Sequence, residues 1–357
     1  MKESKKPPKV SCLLLNWNGI KFTKKCLKTL LKTTYTNFDI IVVDNGSEKN
    51  EAELLKKEFS RFSKIKIIRS EVNLGYAAGM NLAYKNSTGD YIMLLNNDME
   101  FGENWLSPLV EYLGNHKKVG AVQPKMNDMK KKGYFEHGGA AGGFFDIFGY
   151  PFARGRIFSS VEKDNGQYDN PIRIGWAGVI LIKKSVLKKI GLFHTIYFNY
   201  GEDMDLCYKI YGAGYSIVNI PQSVVYHYGS AILGKNMQKK TFYHHRNSII
   251  FLLINFRLTT LLYILLPRII LDVVSIFYYI VNGFPELGLS VIQAYMSLIT
   301  RIPQIYKSRI TNQKILQPEN ITKMPIYKGS IIWDYFIRRR KKFSELMNHE
   351  SLTAINT

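Results

Sequence analysis

The chain has 357 residues, 46% of them hydrophobic and 22% charged, so it can bury a substantial core and is not globally disordered. Its formal net charge of +21 favours nucleic acid, anionic lipid or phosphorylated ligands as partners. Three widely spaced cysteines, Cys12, Cys26 and Cys207, fit no metal-binding spacing and indicate a reducing compartment.

The first part of the chain alternates between apolar runs and amphipathic segments. It follows a basic lead, residues 1–8, in which no secretion signal is predicted. Strands are predicted at 10–15, 39–44, 65–68, 90–95 and 119–123, and helices at 20–31, 48–62, 75–84 and 104–113. This alternation is typical of an α/β fold with a mostly parallel, Rossmann-like sheet flanked by helices. Such sheets bind ligands at the carboxyl ends of their strands, where Asn16, Asp44 and residues 96–98 stand.

The alternation breaks after about residue 125. Residues 133–149 are rich in glycine and aromatic side chains, and we predict a flexible loop there that could act as a lid. Residues 174–193 are predicted to form a strand and then a helix. Residues 200–221 are predicted to form a helix, a glycine stop and another strand.

The amino-acid composition changes near residue 242. Residues 249–280 are dense in Ile, Leu, Phe and Tyr but are interrupted by Arg257, Arg268 and Asp272. The charge-free stretches are shorter than the roughly 20 residues that a spanning helix needs. We therefore predict that a helical region, residues 242–310, lies on an anionic membrane surface and is followed by a basic tail, residues 311–357. Two alternatives stay open: packing on the core or on a second copy as a homo-oligomer, and, less favoured, spanning segments around 249–300.

Six segments occur in an order that resembles a known family. They are CLLLNWNG (12–19), VVDNGS (42–47), NLGYAAGMN (73–81), LLNND (94–98), GWAGVILIKK (175–184) and YGEDMDLCYK (200–209). Together they resemble family 2 glycosyltransferases, most closely the rhamnosyltransferase-like branch, over roughly residues 9–230. The resemblance implies a GT-A catalytic domain over 9–241, with a donor half to about 125 and an acceptor half beyond it. It also implies inversion at the sugar, a nucleotide-diphosphate sugar donor, and Mg²⁺ or Mn²⁺ as cofactor.

The donor residues follow from the matched motifs. The resemblance implies that the Asp44 carboxylate accepts a hydrogen bond from the ring N–H of uracil or thymine. Asp44 could instead cap the next helix, a role for which Ser47 is better suited. Donor-binding residues by this comparison are Asn16, Asp44, Asn73, Gly75, Asn96 and Asn97.

The predicted metal-binding segment departs from the family pattern at one position. Asn96 stands where the family often has an aspartate, so Asp98 is the only carboxylate in that motif for a hard cation. His227 completes the metal site in some relatives, but a lone histidine is as well explained as a structural residue.

The predicted acceptor residues include three neighbouring carboxylates, Glu202, Asp203 and Asp205, near the start of a predicted helix. Negative charge at a helix N-terminus interacts favourably with the helix dipole, and this interaction is a sufficient explanation for Asp205. The resemblance implies that Asp203 is the general base on the acceptor hydroxyl and that Glu202 positions the acceptor or Asp203. Trp176 could stack on an acceptor sugar or simply fill the core, and Asp205 is a further acceptor candidate.

Three other function classes were weighed. A nucleotidyltransferase would carry a glycine-rich basic loop after the first strand, and residues 16–25 lack its paired glycines. No nucleic-acid-binding signature is present, so no nucleic-acid partner is predicted. A degenerate, non-catalytic binding protein is suggested only by Asn96. The expected partners are therefore a nucleotide sugar, a glycan or lipid-linked acceptor, and an anionic membrane surface at the cytoplasmic face of the cell membrane.

Overall fold

The structure is a computed structural model that describes residues 6–136, 138–229 and 236–347. The strands are β1 Val10–Asn16, β2 Phe38–Asn45, β3 Ile65–Ser70, β4 Tyr91–Leu94, β5 Met99–Phe101, β6 Val119–Asp128, β7 Gly143–Phe145, β8 Pro151–Ala153, β9 Arg156–Ile157, β10 Ser160–Val161, β11 Ile172–Arg173, β12 Ile180–Lys183 and β13 Ser216–His227. The helices are α1 Ile20–Leu30, α2 Glu51–Phe59, α3 Gly75–Lys85, α4 Ser107–Asn115, α5 Lys184–Ile190, α6 Glu202–Gly212, α7 Met237–Asn255, α8 Leu258–Val281, α9 Pro285–Ile299, α10 Ile302–Gln313, α11 Pro318–Ile321 and α12 Ile331–Phe336. The predicted α/β alternation of the first 125 residues is confirmed.

One large mixed sheet organises the catalytic half of the molecule. Its strand order is β11-β13-β6-β12-β4-β1-β2-β3, with β5 paired to β13. The strands β4, β1, β2 and β3 run parallel, while β12 inserts antiparallel between β4 and β6. The parallel register sets Asn16 beside Asp44, so the ends of β1 and β2 share one edge of the sheet. Polar residues predicted at strand ends therefore meet there.

The glycine-rich segment is not a flexible loop over its described residues, and that prediction was wrong. Phe135, Phe144 and Phe145 are wholly buried. Strand β7 begins a second sheet of order β10-β9-β8-β7. Glycine is needed here because a side chain at Gly143 would collide with Trp176 at 2.5 Å. Residue 137, within the predicted lid, lies outside the described residues.

The C-terminal helices begin earlier than predicted. Helix α7 runs through the predicted boundary at 241/242, so that boundary cuts one helix. The separate apolar stretches join in α8, which continues past Pro267 and carries Arg268 and Asp272 on its buried side. By length and composition, α8 is the one helix among the described residues that could cross a membrane.

The described part of the predicted basic tail packs against the body of the molecule. Tyr327 exchanges backbone hydrogen bonds with Phe145 and Ile147. The Ile331 N–H donates to buried Asp146 at 3.0 Å. The wholly buried Phe343 stacks near Phe144, with ring centroids 4.9 Å apart. Residues 1–5 of the lead and 348–357 of the tail lie outside the described residues.

Candidate active site

A buried hydrogen-bond chain connects the ends of the central strands. Asn16, wholly buried at the end of β1, donates to Asp44 at 2.9 Å and to Glu51 at 2.8 Å. Its side-chain oxygen accepts from Thr23 at 2.7 Å, and Thr23 in turn accepts from Asn97 at 2.9 Å. Asn16 and Asn97 are thus held by protein partners, and Asn16 fixes the Asp44 carboxylate.

Asp44 retains one unused acceptor. Its Oδ1 accepts from Asn16 and from Ser47 at 2.5 Å. Its Oδ2 is buried and has no hydrogen-bond partner among the described residues, with Arg69 Nη1 at 3.7 Å. A buried carboxylate oxygen without a donor is costly unless a ligand supplies one. Asp44 is therefore the predicted donor residue whose geometry most clearly calls for an N–H from outside the chain.

Gly75 joins the two halves of the site. It adopts φ +77°, and a side chain there would lie 2.5 Å from the Phe198 carbonyl oxygen. The next residue, Tyr76, donates its backbone N–H to that carbonyl at 2.7 Å and to Asn199 at 3.1 Å. Asn73 caps the same turn by accepting from Gly75 N–H at 2.9 Å. Close backbone approach at Gly75 thus holds the start of α3 against the loop that precedes α6.

Glu202 and Asp203 follow that loop at the start of α6. Glu202 is 6% exposed, whereas Asp203 is partly exposed and accepts the Met204 N–H at 2.8 Å. Burial raises the pKa of Asp203 to about 6. Burial and the neighbouring Asp203 raise the pKa of Glu202 well above its ordinary value. A pair of coupled carboxyls with shifted pKa values is typical of acid–base chemistry in a cleft.

Asp98 and His227, the two predicted metal residues, lie side by side, and their role in metal binding stays a prediction. His227, at the end of β13, lies 2.9 Å from Asp98 Oδ1 through Nε2, and Asn96 Nδ2 is 3.2 Å from the same nitrogen. Asp98 also borders a cavity of about 270 Å³. Among the described residues, no three His, Cys, Asp or Glu side chains form a ready-made metal cluster. Two protein ligands are nevertheless enough for Mg²⁺ or Mn²⁺ when substrate phosphate and water complete the shell.

Glu136 is a site residue that the sequence analysis missed. Its Oε2 lies 2.8 Å from His227 Nδ1, and its side chain is 3% exposed. Burial alone would lower the pKa of His227, but Glu136 and Asp98 together raise it to about 10. No local pattern could have found Glu136, because its partner comes from a distant strand.

Two predicted acceptor residues, Trp176 and Asp205, form hydrogen bonds within the protein. Trp176 is 8% exposed, and its indole N–H donates to the Phe144 carbonyl at 2.7 Å. Asp205 is wholly buried and accepts from Asn255 at 2.8 Å and Asn312 at 3.0 Å, which ties α6 to the C-terminal helices. Burial leaves little of either side chain for an acceptor, so both are better explained as structural residues.

Solved structures share the fold of this chain. S. aureus TarS 1–349 in complex with UDP-GlcNAc superposes with a TM-score of 0.54 at 14% identity, over 88% of this chain and 90% of that one. A Pyrobaculum calidifontis mannosyltransferase in complex with GDP-Man and Mn²⁺ gives 0.51 at 13% identity, over 87% of both chains. The fold is therefore that of the GT-A glycosyltransferases.

The family model described as glycosyl transferase family 2 matches residues 11–191, and the chain belongs to this family. A Mycobacterium tuberculosis N-acetylglucosaminyl-diphospho-decaprenol L-rhamnosyltransferase is 22% identical over 246 residues, which is 64% of this chain and 79% of that protein. A Sinorhizobium fredii protein is 28% identical over 243 residues, 64% of this chain, but the match spans only 25% of its own length.

Proposed function

We propose that the chain transfers a sugar, with inversion, from a nucleotide-diphosphate donor to a hydroxyl of a glycan or lipid-linked glycan. The observation that carries this proposal is Asp203. Unlike Glu202 and Asp205 beside it, this carboxylate is partly exposed, and burial brings its pKa to about 6. A base with that pKa is ionised at neutral pH yet still takes a proton readily.

The proposed reaction is a single displacement. The acceptor hydroxyl oxygen bonds to the anomeric carbon while the bond from that carbon to the diphosphate oxygen breaks, and the hydroxyl proton passes to Asp203. Glu202, whose pKa is raised well above its ordinary value by burial and by Asp203, favours its neutral form and so limits the negative charge beside the base. The Gly75–Phe198 approach supports the geometry because it holds the donor half against the loop before Asp203.

The donor is proposed to be dTDP-rhamnose or a UDP-sugar. The free Oδ2 of Asp44 is suited to the ring N–H that uracil and thymine share. The relative named for L-rhamnosyl transfer to a decaprenol-linked sugar supports both rhamnose and a lipid-diphosphate acceptor. Three buried free cysteines fit the cytoplasmic face of the cell membrane, where we propose that the transfer takes place.

Asp98 and His227 are the residues that would hold Mg²⁺ or Mn²⁺. When bound, such an ion neutralises charge that develops on the departing nucleoside diphosphate. Asn96 supports this assignment from beside His227 without adding charge.

The test is the thermal stability of the full chain with UDP, dTDP, GDP, CMP or ATP, each with and without Mn²⁺. A ligand that binds only the folded state raises the melting temperature by mass action. We expect a Mn²⁺-dependent rise with UDP or dTDP that disappears in Asp98→Ala. If the folded chain responds to no nucleotide, the proposal fails in favour of a degenerate binding protein.

A further inference from the structure

The charged side chains of helix α8 face the protein and its apolar side chains face outward, which is the reverse of a surface helix in a soluble protein. Leu261, Ile264, Arg268 and Asp272 face the protein and are almost wholly buried. Beyond its first turn, which exposes Thr259, the exposed residues of α8 are large and apolar, and each is at least 41% exposed: Leu262, Tyr263, Leu266, Ile269, Ile270, Val273, Val274, Phe277, Tyr278, Ile280 and Val281. The charges of α8 therefore face inward and its apolar side chains face outward, the opposite of what water favours.

The outward face continues beyond α8. Helix α12 touches it, since the Phe336 and Tyr278 ring centroids lie 6.1 Å apart. We call the α8 residues above, together with Trp333 and Phe336 of α12 and the adjoining Ile337, the apolar plateau; the neighbouring helices α9 and α10 carry further exposed apolar residues, Leu289, Ile292, Met296, Ile299, Ile302 and Tyr306, and all of these side chains are at least 40% exposed. Scattered exposed apolar residues need no explanation, but a concentration on successive helices marks an interaction surface.

Basic residues adjoin the apolar plateau. Arg338 to Lys342 follow its last residue without a break, and the side chains of Arg338 and Arg340 are 56% and 41% exposed. Arg257 lies exposed just before α8, and Lys307 lies exposed on α10. An apolar surface with cationic neighbours is complementary to a bilayer with anionic headgroups. A second copy of this equally basic chain would instead bring like charges together.

A polar network holds α8 flat against the protein. The buried Asp272 carboxylate accepts from Arg268 at 3.0 Å, Tyr150 at 2.8 Å and Tyr295 at 2.6 Å, and lies 2.9 Å from His245. These contacts come from the catalytic domain and from α7 and α9, so they fix the middle of α8. A membrane-spanning α8 would have to break them and expose an ion pair to lipid.

We propose that the apolar plateau inserts into one leaflet of an anionic bilayer, with α8 parallel to the membrane plane and Trp333 at headgroup depth. The arrangement goes beyond the proposed transfer, because it rests on α8 to α12 and not on the nucleotide or metal residues. Membrane binding and nucleotide binding can therefore fail separately.

The test is flotation of the full chain with vesicles of phosphatidylcholine, with and without phosphatidylglycerol. We expect binding to the anionic vesicles and a loss of roughly 100-fold in affinity for Val273→Glu/Phe277→Glu, since two side chains no longer enter the hydrocarbon. Leu54→Glu is the matched control, because Leu54 is 49% exposed on α2 and lies outside the apolar plateau. Melting temperature and UDP binding of each variant establish that it is folded.

A second measurement reports the depth of insertion. Of the four tryptophans, Trp333 is 53% exposed while Trp105 and Trp176 are at most 8% exposed. Lipids brominated near the headgroup should quench the wild-type fluorescence, and Trp333→Phe should remove most of that quenching.

Three outcomes would overturn the proposal. The first is that the folded wild type does not bind anionic vesicles. The second is that bound protein resists extraction at alkaline pH, which would indicate a span. The third is a lipid-free dimer that Val273→Glu/Phe277→Glu dissociates without any change in vesicle binding, which would make the apolar plateau a contact between copies. Nucleotide binding in the same samples tests the proposed transfer independently.

Discussion

Burial divides the three carboxylates at the start of α6 into different roles. Asp205 is wholly enclosed and bonded to two asparagines, so it contributes to packing. Glu202 is nearly enclosed, and its Oε2 has no hydrogen-bond partner among the described residues, so it favours the protonated form. Of the three carboxylates, Asp203 alone is partly exposed, and burial raises its pKa to about 6. One short acidic run thus contains a buried, hydrogen-bonded Asp205, a buried Glu202 with a raised pKa, and the partly exposed carboxylate that we propose as the base.

Replacing Asp203 by Asn should lower kcat by about 10²–10⁴-fold, because the acceptor proton loses its base. Donor affinity should change little, since Asp44 and Asp98 are untouched. Wild-type activity should fall as the pH drops through about 6, where Asp203 takes up a proton. Rates between about pH 5 and pH 8 measure this. Asp169→Asn, with a 59% exposed side chain, is the control; full activity in Asp203→Asn would exclude the base role.

Replacing Glu202 by Gln should stabilise the fold in a pH-dependent way. The pKa of Glu202 is higher in the folded chain than in the unfolded chain, so the unfolded state loses its proton first and stability declines as the pH rises. The Gln variant has no carboxyl at this position, so its stability does not decline with pH for this reason. Its melting temperature should therefore exceed that of the wild type by a margin that grows as the pH rises above the ordinary pKa of a glutamate. A margin that is constant with pH would contradict the assignment.

Replacing Glu136 by Gln should weaken metal binding. Glu136 orients the His227 ring from Nδ1 and leaves Nε2 directed at Asp98. Loss of such an outer partner typically costs 10–100-fold in metal affinity, so we expect a loss of about that size. Paramagnetic resonance of free Mn²⁺ in the presence of UDP measures affinity without turnover. Glu103→Gln, which changes an exposed carboxylate, is the control; equal affinity in both variants would make Glu136 a packing residue only.

Among the secondary-structure elements, α3 begins at a glycine that is in close contact with another part of the chain. Ala at position 75 would need φ +77° and would place its methyl 2.5 Å from the Phe198 carbonyl oxygen. Strain of this kind costs about 1–3 kcal/mol. We therefore expect Gly75→Ala to unfold at a lower urea concentration and to lose most transfer activity. Gly102→Ala is the matched control, because nothing lies within 4 Å of a side chain there and its φ is not positive. Equal behaviour of the two variants would contradict this account of α3.

Local periodicity explains which elements the sequence could predict. The helix predicted at 20–31 is observed at Ile20–Leu30, since its apolar spacing is visible within a few turns. The small sheet from β7 to β10 could not be predicted, because glycine-rich segments usually form loops and these strands are stabilised by distant partners. Phe343, for example, packs on Phe144 from the end of the described chain. The strand-end site residues were predictable, whereas the Glu136–His227 pair depends on the tertiary fold.

At the scale of the whole molecule, the C-terminal region and the catalytic domain share one core. Phe251 of α7 is wholly buried, with its ring centroid 5.3 Å from that of Phe145 and 5.6 Å from that of Tyr208. Asn247 donates to the carbonyls of Asn199 and Tyr200 at 2.7 and 2.6 Å, just before the proposed base. Helix α7, which directly precedes helix α8 of the apolar plateau, therefore supports the candidate active site.

Deleting residues 243–357 should consequently unfold the catalytic domain and not simply release it from membranes. The deletion removes Ile250, Phe251 and Leu252, each wholly buried, along with Phe343. Losing one large buried side chain costs about 2–5 kcal/mol, and a domain has only about 5–15 kcal/mol of stability in total. The truncated chain should aggregate and show no near-UV circular dichroism, even with detergent present. Val273→Glu/Phe277→Glu, which alters only the apolar plateau, should retain the native spectrum and cooperative melting. A soluble, cooperatively folding truncation would mean that the catalytic domain has a core of its own, and the apolar plateau would then be a detachable anchor.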